Sequence, residues 1–322
     1  MAGYCIKQTG VKKLVMAGGV ALNCVSNGKL LKNNIVDDLW IQPCAGDAGG
    51  SLGAALLASH HHLKIPRHHS HHDSQKGSYL GPSFSRKEIL KTCDAFNFNY
   101  TVEEYDNLVE KISDLIIKGY IFGIFFGRME YGPRALGSRS IIADARNTEM
   151  QSKLNLKTKF RESFRPFAPI VLEEHAKEWF QTKNISPYML QTTLIEEKKL
   201  FPLSNEDKNK QGLEKLHIKR SEVPAITHVD NSARIQTVTK NRNGKIYDIL
   251  NSFYSKSKCP ILINTSFNVR GEPIVCTPYD ALRCFMNTNI DYLVIEDVFL
   301  NKSDQNDQLV DGEFLEYLKK DQ

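Results

Sequence analysis

What this chain lacks narrows its class before any motif is read. No apolar run approaches the ~20 residues that a bilayer-crossing helix requires, and "YIFGIFF" (120–126) fits a buried strand instead. The N-terminus, "MAGYCIKQTGVKKLVMAGG", has none of the basic-then-apolar order of a secretory signal. Seven cysteines, at 5, 24, 44, 93, 259, 276 and 284, include no CxxC pair and no disulfide-dense spacing. They read as thiols of a reducing compartment, so a cytoplasmic location is the expectation. No internal repeat is visible. With 41% hydrophobic and 25% charged residues the chain reads as globular, and 322 residues allow about two domains.

A surplus of one charge is also missing from most of the chain. Between Arg128 and Arg165, nine basic residues meet four acidic ones, which accounts for the whole net charge of +5; elsewhere 33 basic residues balance 33 acidic. A non-specific DNA binder would spread its basic residues more widely. One local concentration suits a compact anionic ligand.

What is present is a mixed α/β pattern. "KKLVMAGGVALN" reads as a strand ending at Gly18-Gly19, "CVSNGKLLKNN" as a helix and "DLWIQPC" as a strand. "AGDAGGSLGAALLAS" is a glycine-rich turn feeding a helix. Strand, glycine turn and helix present backbone N–H groups to phosphate in many nucleotide-binding folds, and serve equally as a tight packing turn. Residues 60–79 hold seven of the ten histidines. A solvated linker fits them better than a metal site, because nothing there fixes ligand geometry. Ser85 caps the next helix, while 204–222 and the end from 301 to 322 are polar and poor in apolar residues.

Four segments then concentrate donors. "GRMEYGPRALGSRS" (127–140) carries Arg128, Arg134 and Arg139 among three glycines, and "KTKFRESFRPFAP" (157–169) carries Lys159, Arg161 and Arg165. "VPAITHVDNSARIQTV" (223–238) supplies His228, Asp230, Arg234 and Gln236. "PILINTSFNVRGEPIV" (260–275) places Asn264, Thr265, Ser266, Asn268 and Arg270 directly after an apolar strand. Arginine gives phosphate bidentate, charge-assisted hydrogen bonds, and strand-end hydroxyls and amides add neutral donors. Gly132 and Gly137 are expected to let backbone and ligand approach, with Pro133 stiffening the turn. A lone arginine is usually a solvated side chain, so it is the density that carries this reading. His228 is equally a structural histidine or an acid/base group, and Asp230 reads as the partner of a nearby arginine.

Six stretches, "MAGGVALNCVSNGKL", "GDAGGSLGAAL", "GRMEYGPRALGSRSIIADAR", "FRPFAPIVLEEHAKEWF", "THVDNSARIQTV" and "NTSFNVRGEPIVCTPYDALRCF", together resemble the NodU/CmcH family of O-carbamoyltransferases. They follow the family's order over nearly all of residues 1–300. The resemblance implies an α/β fold of two modules. Residues 1–78 would be the closing elements of an actin-like ATPase (ASKHA) domain with a His-rich linker. Residues 79–322 would be a YrdC-like mixed α/β domain. It further implies that carbamoyl phosphate and ATP, carrying Mg²⁺, give carbamoyl-adenylate. The carbamoyl group would then pass to a hydroxyl-bearing small molecule or sugar at an iron (Fe²⁺) site held by two histidines and an aspartate.

Carried over by motif, Gly18, Gly19 and Asn23 would line a nucleotide site and Asp47 would be the metal-binding aspartate. Arg134, Arg139, Lys159, Arg161, Arg165, Asn264, Ser266 and Asn268 would line the carbamoyl-phosphate and adenylate site, with His228 and Arg234 facing it. Asn231-Ser232 stands where relatives often carry Gly-Thr or Gly-Ser, and Tyr131 where Phe or Trp is frequent. Family members run to nearly twice this length, and none of these histidines holds the position of their metal-binding pair. The iron site is therefore expected to be incomplete, and a separately encoded front half, or a misplaced start codon, is the expectation. Fifty-nine residues are also too few to bury a complete nucleotide-binding core. The rival reading is a noncatalytic nucleotide- or RNA-binding module. Nucleic acid is not the expected partner, because Tyr131, Phe160, Phe164 and Phe167 make a thin set of base platforms. No membrane is expected.

Overall fold

The apolar runs without polar alternation become the central strands of a sheet. The computed structural model describes residues 1–68 and 73–306. Its strands are β1 (Lys13–Met16), β2 (Asp38–Ile41), β3 (Thr101–Val102), β4 (Phe122–Phe125), β5 (Arg139–Asp144), β6 (Ala168–Leu172), β7 (Thr192–Leu194), β8 (Ser232–Arg234), β9 (Gln236–Val238), β10 (Ile261–Ser266), β11 (Tyr292–Ile295) and β12 (Val298–Asn301). The longer helices are α1 (Ala2–Thr9), α2 (Cys24–Lys32), α3 (Gly50–Leu57), α4 (Arg86–Ala95), α5 (Tyr105–Ile117), α6 (Met150–Lys157), α7 (Lys245–Ser257) and α8 (Pro278–Met286).

Eight strands form one mixed sheet in the order β3-β12-β11-β4-β5-β10-β6-β9. Strands β4, β5, β6 and β9 are buried at every residue, so both faces of the sheet are covered. Helix α5 buries Leu108, Ile112 and Ile116 at i,i+4 spacing. It packs on α7 and β5, while α7 also lies on β6 and β10. Helix α8 packs on α4, β4 and β11. Reciprocal capping boxes start two of these helices, Ser85 with Glu88 on α4 and Thr277 with Asp280 on α8.

Register corrects one expectation. The sequence puts Asn264 beyond the strand, but β10 runs through it. Asn264 pairs with Ile142 on one side and Ala168 on the other, and is 0% exposed. Two flanking strands continue the ladder past the apolar run, and the amide is carried inside with it.

The N-terminal segment builds only a two-stranded parallel sheet, β1 with β2, connected through α2. Its apolar side has no core of its own. Ala21, Ile41 and Ala45 cluster with Leu136, Ala168, Tyr188, Met189 and Leu190 from the rest of the chain. Trp40 meets Tyr188 edge to face at 5.9 Å. Asn27 donates to the carbonyls of Ala21 (2.8 Å) and Leu190 (2.9 Å). Gly28 lies so close to Thr192 that any Cβ would collide with its carbonyl. The other side is open, with Val15 74% and Val20 81% exposed.

Helix α3 runs on through a wider, π-type turn at Ala58–His62, where His60 Nδ1 lies 2.8 Å from the Ile65 carbonyl. His69, His71 and His72 of the histidine tract, and residues 307–322, lie outside the described residues. The seven cysteines are free thiols. Among the described residues no helix is long and apolar enough to cross a membrane.

Candidate functional site: a cluster of cations

Four of the predicted cations feel one another in series. Arg134 lies in the loop between β4 and β5, where burial and then the charge of Arg234 push its guanidinium down to about 10. Its Nη2 donates to the Leu22 carbonyl at 3.3 Å, and its Nε is buried without a partner. Arg161 is pushed down to about 10 by burial, then by Arg165, with Arg234 adding to this and Glu162 opposing it. Burial lowers Arg234 on β8 as well, against the Cys24 thiol, its hydrogen-bond partner. Lys159 is brought down to about 7 by burial, reinforced by Arg161.

Among the described residues none of Arg134, Lys159, Arg161 and Arg234 forms an ion pair. Arg165 does, with Glu162 at 2.9 Å. Neighbouring cations that form no ion pair, with Glu162 felt only at Arg161, are costly to assemble unless an anion joins them.

Lys159 ties this group to the end of β10. It is 3% exposed. Its Nζ donates to the Ser266 carbonyl, to Ser266 Oγ at 3.3 Å, to the Asn268 carbonyl at 2.9 Å and to Asn268 Oδ1 at 2.8 Å. Ser266 Oγ donates in turn to Asn268 Oδ1 at 2.6 Å. Lys159, Ser266 and Asn268 are thus one hydrogen-bonded unit, although about 107 residues separate the lysine from the serine. The loop that carries Lys159, Arg161 and Arg165 is wound on Asn155, which the sequence did not single out. Asn155 Oδ1 accepts Arg161 Nε at 2.7 Å, and its Nδ2 donates to the carbonyls of Ser163 (3.0 Å) and Arg165 (2.8 Å).

Arg139 does not join the pocket. Its side chain is 0% exposed, lies over the Phe125 ring at 3.4 Å and donates to the carbonyls of Phe126, Ser138, Gly127 and Pro82. Strand alternation explains this: Arg139 opens β5 opposite Phe125, so its guanidinium is committed to the core side of the loop. Asn264 is scaffolding too, with Nδ2 donating to the Ala135 carbonyl at 3.1 Å and to Gln236 Oε1 at 2.8 Å. Gly132 and Gly137 serve packing rather than ligand approach. A Cβ on Gly132 would sit 3.0 Å from the Pro43 carbonyl, and one on Gly137 would sit 2.8 Å from Ile246. Both have positive φ, 140° and 111°.

The N-terminal candidates lie in the loops that follow β1 and β2. Asn23 caps α2, its Oδ1 accepting the Ser26 N–H at 3.1 Å. Gly18, at φ 95°, donates its N–H to the Ala45 carbonyl at 2.7 Å; beside Gly18 and Gly19 there is open space. Asp47 is exposed at the start of a short 3₁₀ turn. Among the described residues no three His, Cys, Asp or Glu side chains converge to hold a metal. A single exposed carboxylate does not fit an iron centre, and no chemistry is routed through one.

His228 belongs to a turn closed by its own carbonyl accepting the Asn231 N–H at 2.9 Å. Asn231 has φ 60°, a conformation that glycine and asparagine tolerate, which accounts for asparagine where relatives often carry glycine. His228 lines a cleft of about 780 Å³ with Asp230, Ser232 and, from α2, Val25, Gly28 and Lys29. Burial pushes its imidazole below the usual range against the opposing charge of Asp230.

The profile of the family described as "Carbamoyltransferase C-terminus" matches residues 113–302, which contain the whole cationic group. The chain belongs to the carbamoyltransferase family. The "Carbamoyltransferase N-terminus" profile matches residues 4–56 of this carbamoyltransferase-family chain. An uncharacterized protein of Synechocystis sp. is 50% identical over 98% of the chain and 52% of its own length. The nodulation protein NolO of Bradyrhizobium diazoefficiens is 37% identical over 92% of the chain and 50% of its own length. The chain therefore spans about half the length of these curated relatives. Among solved structures, full-length HypF is 16% identical, covering 64% of this chain and 22% of that one with a TM-score of 0.36, a likeness that decides nothing.

Proposed function

We propose that the carbamoyltransferase-family pocket binds carbamoyl phosphate and ATP and joins them as carbamoyl-adenylate. Water releases inorganic phosphate from carbamoyl phosphate. A carbamate oxygen then attacks the α-phosphorus of ATP; the bond to the β-phosphate bridge breaks and pyrophosphate leaves with the electron pair. The observation that carries this reading is the set of four neighbouring cations, Arg134, Lys159, Arg161 and Arg234, none of them ion-paired among the described residues, with Lys159 joined to Ser266 and Asn268. Such a group neutralises the phosphates and the charge that builds on the leaving pyrophosphate, while Mg²⁺ arrives on the nucleotide. Arg165, half-exposed beside Glu162, fits the rim.

The second half-reaction is part of the same proposal. The hydroxyl of a small-molecule or sugar acceptor attacks the carbamoyl carbon, and AMP leaves. A separately encoded front half of the actin-like module would meet the open side of the N-terminal segment, where Val15, Val20, Leu56 and Leu57 are exposed. An ATP substrate and seven free thiols support a cytoplasmic setting. RNA is a poorer fit to the pocket: Phe167 is buried, Tyr131 donates to the Ala48 carbonyl at 2.7 Å, and Phe160 packs against the core.

The test is incubation of the purified chain with carbamoyl phosphate and ATP, with pyrophosphate release as the readout. Release that requires both substrates supports the proposal. No release from the wild type, or release undiminished by Arg134→Ala with Arg161→Ala, would overturn it.

A further inference from the structure

The loop from 130 to 139 is shaped by side chains rather than by a strand ladder. Glu130 is 5% exposed, and its Oε1 accepts the N–H groups of Leu136 (2.7 Å), Ser138 (2.8 Å) and Arg139 (3.2 Å). The Gly137 N–H goes to Ser140 Oγ at 3.0 Å. The carbonyls are gathered separately. Asn264 takes that of Ala135, Gln236 and the Tyr79 hydroxyl share that of Leu136 at 2.8 Å each, and Arg139 takes those of Phe126 and Ser138. One acid collects three of the loop's donors while Asn264, Gln236, Tyr79 and Arg139 share its acceptors, and Arg134 stands on the loop so closed.

We propose that Glu130 is a positioning residue for the anion site: by gathering the N–H groups of Leu136, Ser138 and Arg139 on one oxygen, it closes the 130–139 loop and aims Arg134. This rests on reading Arg134 as an anion-binding group. Glu130 acts only through Arg134, since its carboxyl lies beneath the loop among those three N–H groups. Loss of the carboxyl strands three buried donors, and the loop opens to satisfy them from water. Glutamine keeps a carbonyl oxygen at the Oε1 position and therefore keeps the loop. Burial pushes the Glu130 carboxyl above its usual range, toward the protonated form that glutamine imitates.

The test combines titration calorimetry of the full chain, with ATP and with carbamoyl phosphate as probes, and amide hydrogen exchange at residues 136–139. Glu130→Ala is expected to weaken probe binding by about tenfold. Glu130→Gln should stay within about threefold of the wild type. Glu130→Ala with Arg134→Ala should bind no more weakly than Arg134→Ala alone, because the arginine that the loop would aim is already gone. In Glu130→Ala the amides of Leu136, Ser138 and Arg139 should lose protection while those of β10 keep it. Undiminished binding, additive losses in the double variant, no rescue by glutamine, or retained protection would each overturn the proposal. If Glu130→Ala fails to fold, Glu130→Asp, one methylene too short, replaces it with the same expectations. If the wild type binds neither probe, the functional reading of the pocket fails, and the exchange measurement alone decides whether Glu130 holds the loop.

Discussion

The eight-stranded sheet and the N-terminal segment both put glycine-rich turns at the ends of apolar strands, yet they differ in how deeply those strands are buried. In the sheet, β5 is buried at all six residues and β6 at all five. In the segment, β1 alternates exposed and half-buried positions, and its apolar cluster is completed by Leu136, Tyr188 and Leu190 from elsewhere. A loop that leaves a fully buried strand inherits that strand's rigidity. Charged side chains can then be held close together without an anion present, because the core opposes their repulsion. Gly18, Gly19, Asn23 and Asp47 sit on loops of a segment without such burial, the Gly18 N–H bonded to the Ala45 carbonyl at 2.7 Å. Density of suggestive residues is therefore weaker evidence for a site than the burial of the strands that carry them.

The largest test of this difference is thermodynamic. Ile263→Ala, at a fully buried position of β10, is expected to cost about 2–5 kcal/mol in urea unfolding, while Val15→Ala in β1 should cost less than about 0.5 kcal/mol. Comparable losses would mean that the segment carries the core, and would break the comparison. Next in size, Arg134→Ala with Arg161→Ala should lower pyrophosphate release by about 100-fold or more, read in an assay specific for pyrophosphate.

A smaller effect follows from Lys159, whose ammonium is lowered from 10.5 to about 7. An anion binds the charged form, so affinity for ATP should fall by up to about tenfold per pH unit above pH 7. Stability has the opposite sign: between about 7 and 10.5 the unfolded chain holds a proton that the folded one lacks, so Lys159 makes stability rise with pH. Isothermal titration and urea melts at pH 6, 7 and 8 separate the two. The smallest expected effect is that of Asp47→Ala, which should leave pyrophosphate release unchanged; a loss there would restore the N-terminal segment to the chemistry.

Much of this was legible in the residues. The strands at 13–16, 38–41 and 122–125, the helix after Ser85 and the concentration of basic residues between 128 and 165 all follow from local pattern and composition. The roles of Arg139 and Asn264 were not, because they turn on which face of a strand a residue occupies and how far a neighbour extends the ladder. Glu130 and Asn155 left no sequence signal beyond being single polar residues, one in a loop and the other in α6. Their importance comes from burial, which turns an ordinary carboxyl or amide into the partner of several backbone groups.

By itself the sequence determined a mixed α/β chain, the family it belongs to, and an excess of positive charge confined to one stretch. Those are properties of composition, period and order, which need no neighbour in space. Only the tertiary structure decided which cations meet and which are scaffolding, because long-range register and burial set both. Arg134 and Arg139 are five residues apart and chemically identical, yet Arg134 in the loop feels the charge of Arg234, while the pairing of β5 with β4 sets Arg139 over the Phe125 ring.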